Sequence, residues 1–156
     1  MTIRTLASFV ALAVAAATPA FAGFGTTATV GGAMAPTFDY RANGIVVQVP
    51  VLHIVGDLAS GVEGGPDLGI TASKITHTRK IAEETEGVFM PGLGLMKTRA
   101  GTDVHLQARV GGEMKKGAGF GLYVVPQLRY FMSSIDGVDG GLTTRGTLEF
   151  SAWFAK

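Results

Sequence analysis

Apolar and polar residues alternate with period two along most of the chain after residue 23, which is the signature of strands with one apolar and one polar face. The division is sharpest in three segments. In Thr102–Met114, Val104, Leu106, Ala108, Val110 and Met114 oppose Asp103, His105, Gln107, Arg109 and Glu113. In Gly117–Met132, Phe120, Leu122, Val124, Pro126, Leu128 and Tyr130 oppose Tyr123, Gln127 and Arg129. In Gly141–Phe154, Leu142, Leu148, Phe150, Ala152 and Phe154 oppose Thr143, Arg145, Thr147, Glu149 and Ser151. Phe24–Arg41 follows the same rule, with Phe24, Val30, Met34, Phe38 and Tyr40 on one parity and small or polar residues on the other. Gly44–Gly56, Asp67–Thr78 and Val88–Thr98 are less regular, the last with Phe89, Pro91, Leu93 and Leu95 opposite glycines. Helical spacing is confined to Lys80–Glu86, where one short turn is expected.

The breaks between these segments are turn-forming. Asn43-Gly44 is the strongest short hairpin signal. Arg99-Ala100-Gly101 and Lys115-Lys116-Gly117 are polar turns, and Ser60–Pro66 and Ser133–Gly141 are glycine-rich loops. Seven strands are read directly. An eighth comes from Lys80–Glu86 or from a division of the long first segment. The fold class expected is all-β, an antiparallel up-and-down barrel of about eight strands, because closure removes exposed edges. Pro36, Pro50, Pro91 and Pro126 fall inside the strand segments, so bulges or breaks are expected there.

A closed barrel can turn its apolar face outward to lipid or inward around an apolar ligand, and alternation alone does not choose. Three features favour outward. Aromatic residues lie near strand ends on the apolar face: Phe24, Phe38, Tyr40, Phe89, Phe120, Tyr130, Phe150 and Phe154, an aromatic girdle of the kind that sits at membrane interfaces. The strands are long enough to cross a bilayer at a tilt. The polar face carries Gly, Thr, Gln and Arg, with charged residues only 16% of the chain. Arg109, Arg129, Arg145, Glu113 and Glu149, with His105, Gln107 and Gln127, would then meet in a narrow lumen, where charge is tolerated only when paired. They are read as a lumenal network that plugs the barrel.

Residues 1–22 read as an export signal. Arg4 is the basic start, Leu6–Ala17 the apolar stretch and Ala20-Phe21-Ala22 the cleavage motif. The apolar stretch is shorter than the roughly 20 residues of a membrane-spanning helix. A single domain, 23–156, follows. Loss of Arg4 leaves the 12 acidic residues matched by an equal number of basic ones, without the basic footprint that nucleic-acid binding needs. No cysteine is present, which excludes a disulfide scaffold and a thiolate metal site.

Val104–Phe131 (VHLQARVGGEMKKGAGFGLYVVPQLRYF) and the last strand, TLEFSAWF, carry a family resemblance. The chain resembles the small Gram-negative outer-membrane β-barrel proteins, the opacity-type and related porin-family barrels. The resemblance spans the mature chain as a pattern rather than a strict motif. It implies an outer-membrane location in the cell envelope, contact with outer-membrane lipid and with the barrel-assembly machinery, and a structural, surface-interaction or narrow-transport role. Ala155 and Lys156 follow Phe154, whereas the family's closing strand ends in an aromatic residue.

Catalytic signals are absent from the sequence. His53, His77 and His105 have no metal-ligand spacing. The Gly92-Leu93-Gly94 and Gly119-Phe120-Gly121 strings fit crowded strand positions better than phosphate loops. Glu83, Glu84 and Glu86 read as a solvated loop, and Asp136 and Asp139 as turn formers. The chain is therefore read as a non-enzyme without a metal or other cofactor. Two rivals remain: a soluble periplasmic barrel holding an apolar ligand, similar to lipocalins, and a barrel enzyme with a histidine and an acid at its mouth. No substrate or ligand is named by the loops Leu58–Asp67, Arg79–Gly87 and Ser133–Gly141.

Overall fold

The computed structural model describes residues 23–30, 36–50, 68–114, 119–137 and 139–154. The expected leader, Met34, His53, the Leu58–Asp67 loop, residues 51–56 of the Gly44–Gly56 segment and the Lys115-Lys116-Gly117 turn lie outside these residues. The regular elements among the described residues are all strands: β1 (Gly23–Val30), β2 (Thr37–Ala42), β3 (Ile45–Val49), β4 (Leu68–Lys74), β5 (His77–Ala82), β6 (Thr85–Lys97), β7 (Gly101–Met114), β8 (Gly119–Ser133) and β9 (Gly141–Trp153).

The strands follow the order β4-β3-β2-β1-β9-β8-β7-β6-β5, and an antiparallel β4–β6 pairing closes the ring. Nine strands thus fill eight staves. β4 and β5 share one stave: β4 pairs with Gly92–Lys97 of β6, and β5 with Thr85–Phe89. The result is a closed, antiparallel, eight-stranded barrel.

Phe24–Arg41 divides into two strands, one of the two routes expected to supply the eighth, the chain turning back between Val30 and Thr37. Two other segments differ from the sequence expectation. Asp67–Thr78 divides at Ile75-Thr76 into β4 and the start of β5. Lys80–Glu86 forms no helical turn; it is a hairpin around Glu83-Glu84. Its cross-strand pairs, Lys80 with Glu86 and Ala82 with Thr85, outweigh the weak local helical spacing.

The prolines explain part of this division. Pro36 and Pro50 lie just outside strands, and Pro91 and Pro126 within them. The carbonyl of Phe89 accepts from Thr76 N–H, so Phe89, Pro91 and Leu93 turn their backbone edges towards the β4/β5 stave. Pro91 has no N–H to offer there, and the stave breaks opposite it. Pro126 interrupts the β7–β8 ladder between the pairs Gln107–Gln127 and Val110–Val124 without changing register. A shallow groove of about 440 Å³ opens on the wall there, lined by Leu106, Ala108, Pro126, Leu128 and Thr144 with Gln107, Gln127 and Arg145.

The two ends of the barrel differ. One carries the start of β1, the end of β9 and the tight turn at Asn43-Gly44, whose φ values of 51° and 74° make the primed turn that Asn-Gly favours. The β5–β6 and β7–β8 connections are at this end too. The opposite end carries the β1–β2, β3–β4 and β8–β9 connections, which are longer, and the short β6–β7 turn.

Along β7, β8 and, from Arg145 onward, β9, exposure largely alternates, and the apolar set is the more exposed one. Leu106, Val110, Phe120, Leu122, Val124, Leu128, Leu148 and Phe150 face outward. Asp39, Asp103, His105, Gln107, Arg109, Glu113, Gln127 and Glu149 are buried. The polarity of an ordinary globular domain is reversed.

Candidate functional site

The interior gathers the buried ionisable and hydrogen-bonding side chains of the described residues, and it is ordered in tiers. At the end that carries the chain's Gly23 and Trp153, Arg41 Nη1 lies 2.6 Å from Glu113 Oε2, and the Tyr123 hydroxyl donates to Glu113 Oε1 at 2.5 Å. The Arg41 guanidinium also sits 5.6 Å from the centroid of the Trp153 ring. These four side chains come from β2, β7, β8 and β9: Tyr123 meets Glu113 across the β7–β8 hairpin, while Arg41 of β2 reaches Glu113 of β7 only because the barrel closes.

The middle tier centres on Arg109, which is fully buried. Its Nε lies 2.8 Å from Glu149 Oε2, a charge contact rather than an aligned hydrogen bond. Its Nη2 donates to Ser151 Oγ at 3.1 Å, and its guanidinium stacks 4.4 Å from the Tyr123 ring centroid. Asp39 is equally buried and accepts from the hydroxyls of Thr27 and Thr37; Thr27 also meets Ser151 Oγ at 2.5 Å. Val46, Val88, Met90, Val125, Tyr123 and Trp153 pack around these groups as a small apolar cluster. Low polarity beside the ions strengthens each pairing and makes a broken pair costly.

Towards the other end, Asp103 takes Arg129 on one oxygen (Nε at 3.0 Å, Nη2 at 2.9 Å) and His105 Nδ1 on the other at 3.2 Å. Gln127 Nε2 donates to Gln107 Oε1, and Gln107 Nε2 to Ser73 Oγ, both at 3.2 Å. The facing strand is emptied to make room. A Cβ on Gly94 would collide with the His105 ring, and one on Gly92 with Ser73 Oγ. These glycines therefore relieve crowding, as their placement in a strand suggests.

Seven of the eight residues expected in the lumenal network (His105, Gln107, Arg109, Glu113, Gln127, Arg129 and Glu149) lie in these tiers. Arg145 occupies the inward register opposite Gln127 and is half-buried. Arg109–Glu149 stays within the three C-terminal strands, but the rest of the scheme brings in residues outside the expected set. Glu113 pairs with Arg41 of β2, and Arg129 with Asp103. Asp39, Arg41 and Asp103 lay on the polar parity in the sequence but had no visible partner. Tyr123 lay on the polar parity beside Gln127 and Arg129, but neither it nor Trp153 announces an ion partner in sequence, because an aromatic in a strand more often packs than caps an ion. His77 belongs to exposed β5 and takes no part.

All eight girdle residues face outward. Most gather towards the end that carries Gly23 and Trp153. Phe24 sits 5.8 Å from Phe38 and 5.3 Å from Tyr40, ring to ring, and Phe120 and Phe154 lie at the neighbouring strand ends. Tyr130 is the member near the opposite end. Among the described residues no group of three or more His, Asp or Glu is placed to hold a metal ion.

No protein-family model matches the chain, and neither a curated protein nor a solved structure matches it.

Proposed function

We propose that the protein is a small outer-membrane barrel whose apolar wall meets acyl chains and whose lumen is plugged by its own charged residues. The observation that carries this reading is the reversal of polarity: Leu106, Leu122, Val124 and Leu148 outside, with Arg109 and Glu149 inside. Water outside would favour the opposite arrangement, since leaving a leucine or valine side chain exposed forfeits about 1.5–3 kcal/mol of burial. Closure supports the same reading, because lipid tolerates no open backbone edge. The aromatic cluster of Phe24, Phe38, Tyr40 and Phe120 suits one interface.

Outer-membrane barrels have short turns on the periplasmic side and longer loops outside. By that rule the Asn43-Gly44 end faces the periplasm and the β1–β2, β3–β4 and β8–β9 connections face outward. The plug disfavours general diffusion through the lumen and leaves a structural or surface-interaction role. Export through the leader and insertion by the assembly machinery, with Phe154 at the end of β9 as an exposed aromatic, complete the proposal.

Membrane fractionation tests it. The mature protein should sediment with membranes, leave them only in detergent, and change gel mobility on heating. A leaderless chain that stays folded and monomeric in detergent-free buffer would overturn it.

A further inference from the structure

The outer wall is not evenly relieved. Across β6, β7, β8 and β9 one row of outward residues is low: Pro91, Ala108, Pro126 and Gly146. The next row on one side is Leu93, Leu106, Leu128 and Thr144. On the other side it is Phe89, Val110, Val124 and Leu148. The low row is thus the floor of a furrow between two higher banks, and the wall groove of about 440 Å³ lies along it. A Cβ on Gly146 would meet nothing within 4 Å, so the furrow is open at that end. Neighbouring strands lie about 4.8 Å apart, which makes a furrow across four of them about 14 Å long.

The floor holds one polar group. Gly101 exchanges backbone hydrogen bonds with Thr98, and the carbonyl of Ala100 accepts from Ser134 N–H. Odd residues of β7 therefore turn their backbone edges to β6, and even residues, Ala108 among them, turn theirs to β8. Ala108 stands opposite Pro126, because the register is the same on both sides of the interruption. Proline has no N–H to give. The two pairs lost from the ladder, Ala108–Pro126 and Arg109–Val125, are those that the missing hydrogen bond would close. The Ala108 carbonyl thus points at a residue that cannot donate, on the floor of an apolar furrow.

These features define an occupant. The banks take a hydrocarbon chain, and the carbonyl takes a donor carried part-way along it, since a carbonyl without a donor is costly in hydrocarbon. The furrow crosses the strands, which tilt about 35–45° in such barrels, so its occupant lies oblique to the membrane normal. A single chain is free to lie that way, whereas the paired chains of a phospholipid are tied side by side along the normal. We propose that the furrow over Ala108, Pro126 and Gly146 binds a single-chain fatty acid that carries a hydroxyl part-way along its chain. The hydroxyl donates to the Ala108 carbonyl in place of the missing proline N–H. The site rests on the reading that this wall faces acyl chains.

The test uses the full mature chain in detergent micelles, with its alanine carbonyl and methyl carbons labelled with carbon-13 and followed by NMR. The probe is 12-hydroxystearic acid, and stearic acid is the control. The Ala108 signals should shift saturably with the hydroxy acid, at a concentration about tenfold lower than stearic acid requires. Pro126→Ala returns an N–H to the ladder and should abolish this preference while the plain chain still binds. Gly146→Leu fills the furrow and should weaken binding of both acids by about tenfold or more. The gel mobility shift on heating shows that each variant keeps its barrel, and the comparison of the two acids in the unaltered chain needs no variant. Equal affinity for the two acids, a preference that survives Pro126→Ala, or no effect of Gly146→Leu overturns the proposal. So does self-association that Gly146→Leu abolishes, since the occupant would then be a second copy. Failure of the lipid-facing reading shows separately, in a leaderless chain that stays folded without detergent.

Discussion

β4 and β5 follow one another in sequence and pair with the same strand, yet they live in different surroundings. β4 has β3 on one side and β6 on the other, and its burial alternates, with Gly69, Thr71 and Ser73 turned inward. Among the described residues β5 pairs with β6 alone, and all six of its residues are exposed. The alternation in this protein is thus a product of enclosure. A strand with a neighbour on both sides separates an inside from an outside, and its side chains sort accordingly. A strand with one neighbour has the same medium on both faces, and His77, Arg79 and Ile81 share a face without penalty.

This contrast sets the order of expected effects. The largest belongs to the enclosed network. Arg109→Met keeps the volume but leaves Glu149 buried without its cation, and should lower barrel stability by about 3–5 kcal/mol. Denaturant titration of the detergent-solubilised protein, followed by the heat-dependent gel shift, measures it. A loss below about 1 kcal/mol would mean that solvent reaches Glu149 and the plug is open.

The next effect reports on the medium outside. Val124 is exposed near the middle of the wall, on a strand with neighbours on both sides. Val124→Arg should cost about 2–4 kcal/mol when the protein refolds into lipid vesicles. An unchanged unfolding midpoint would place water against this wall. The smallest effect is on β5, where Arg79→Ala should change stability by no more than about 0.5 kcal/mol. A larger loss would show that β5 supports the barrel, and would erase the distinction between the two strands.

Much of the barrel was legible along the chain. The parity of Val104 to Met114, and of Phe120 to Tyr130, assigns each residue to a face, because successive side chains of a strand point to opposite sides whatever surrounds them. Asn43-Gly44 announces its turn by the backbone angles it accepts. The division of Phe24–Arg41 into two strands was less visible, since the parity continues unbroken through the reversal.

What the sequence determined by itself is therefore local: which residues share a face, and where the chain turns. The Arg41–Glu113 pair, and the way the tiers stack across the lumen, were decided only when β4 met β6 and β9 met β1, whereas Arg129–Asp103 forms across the single β7–β8 hairpin. Ion pairing depends on distances of a few ångströms, and between strands as remote in sequence as β2 and β7 those distances exist only after the ring has closed.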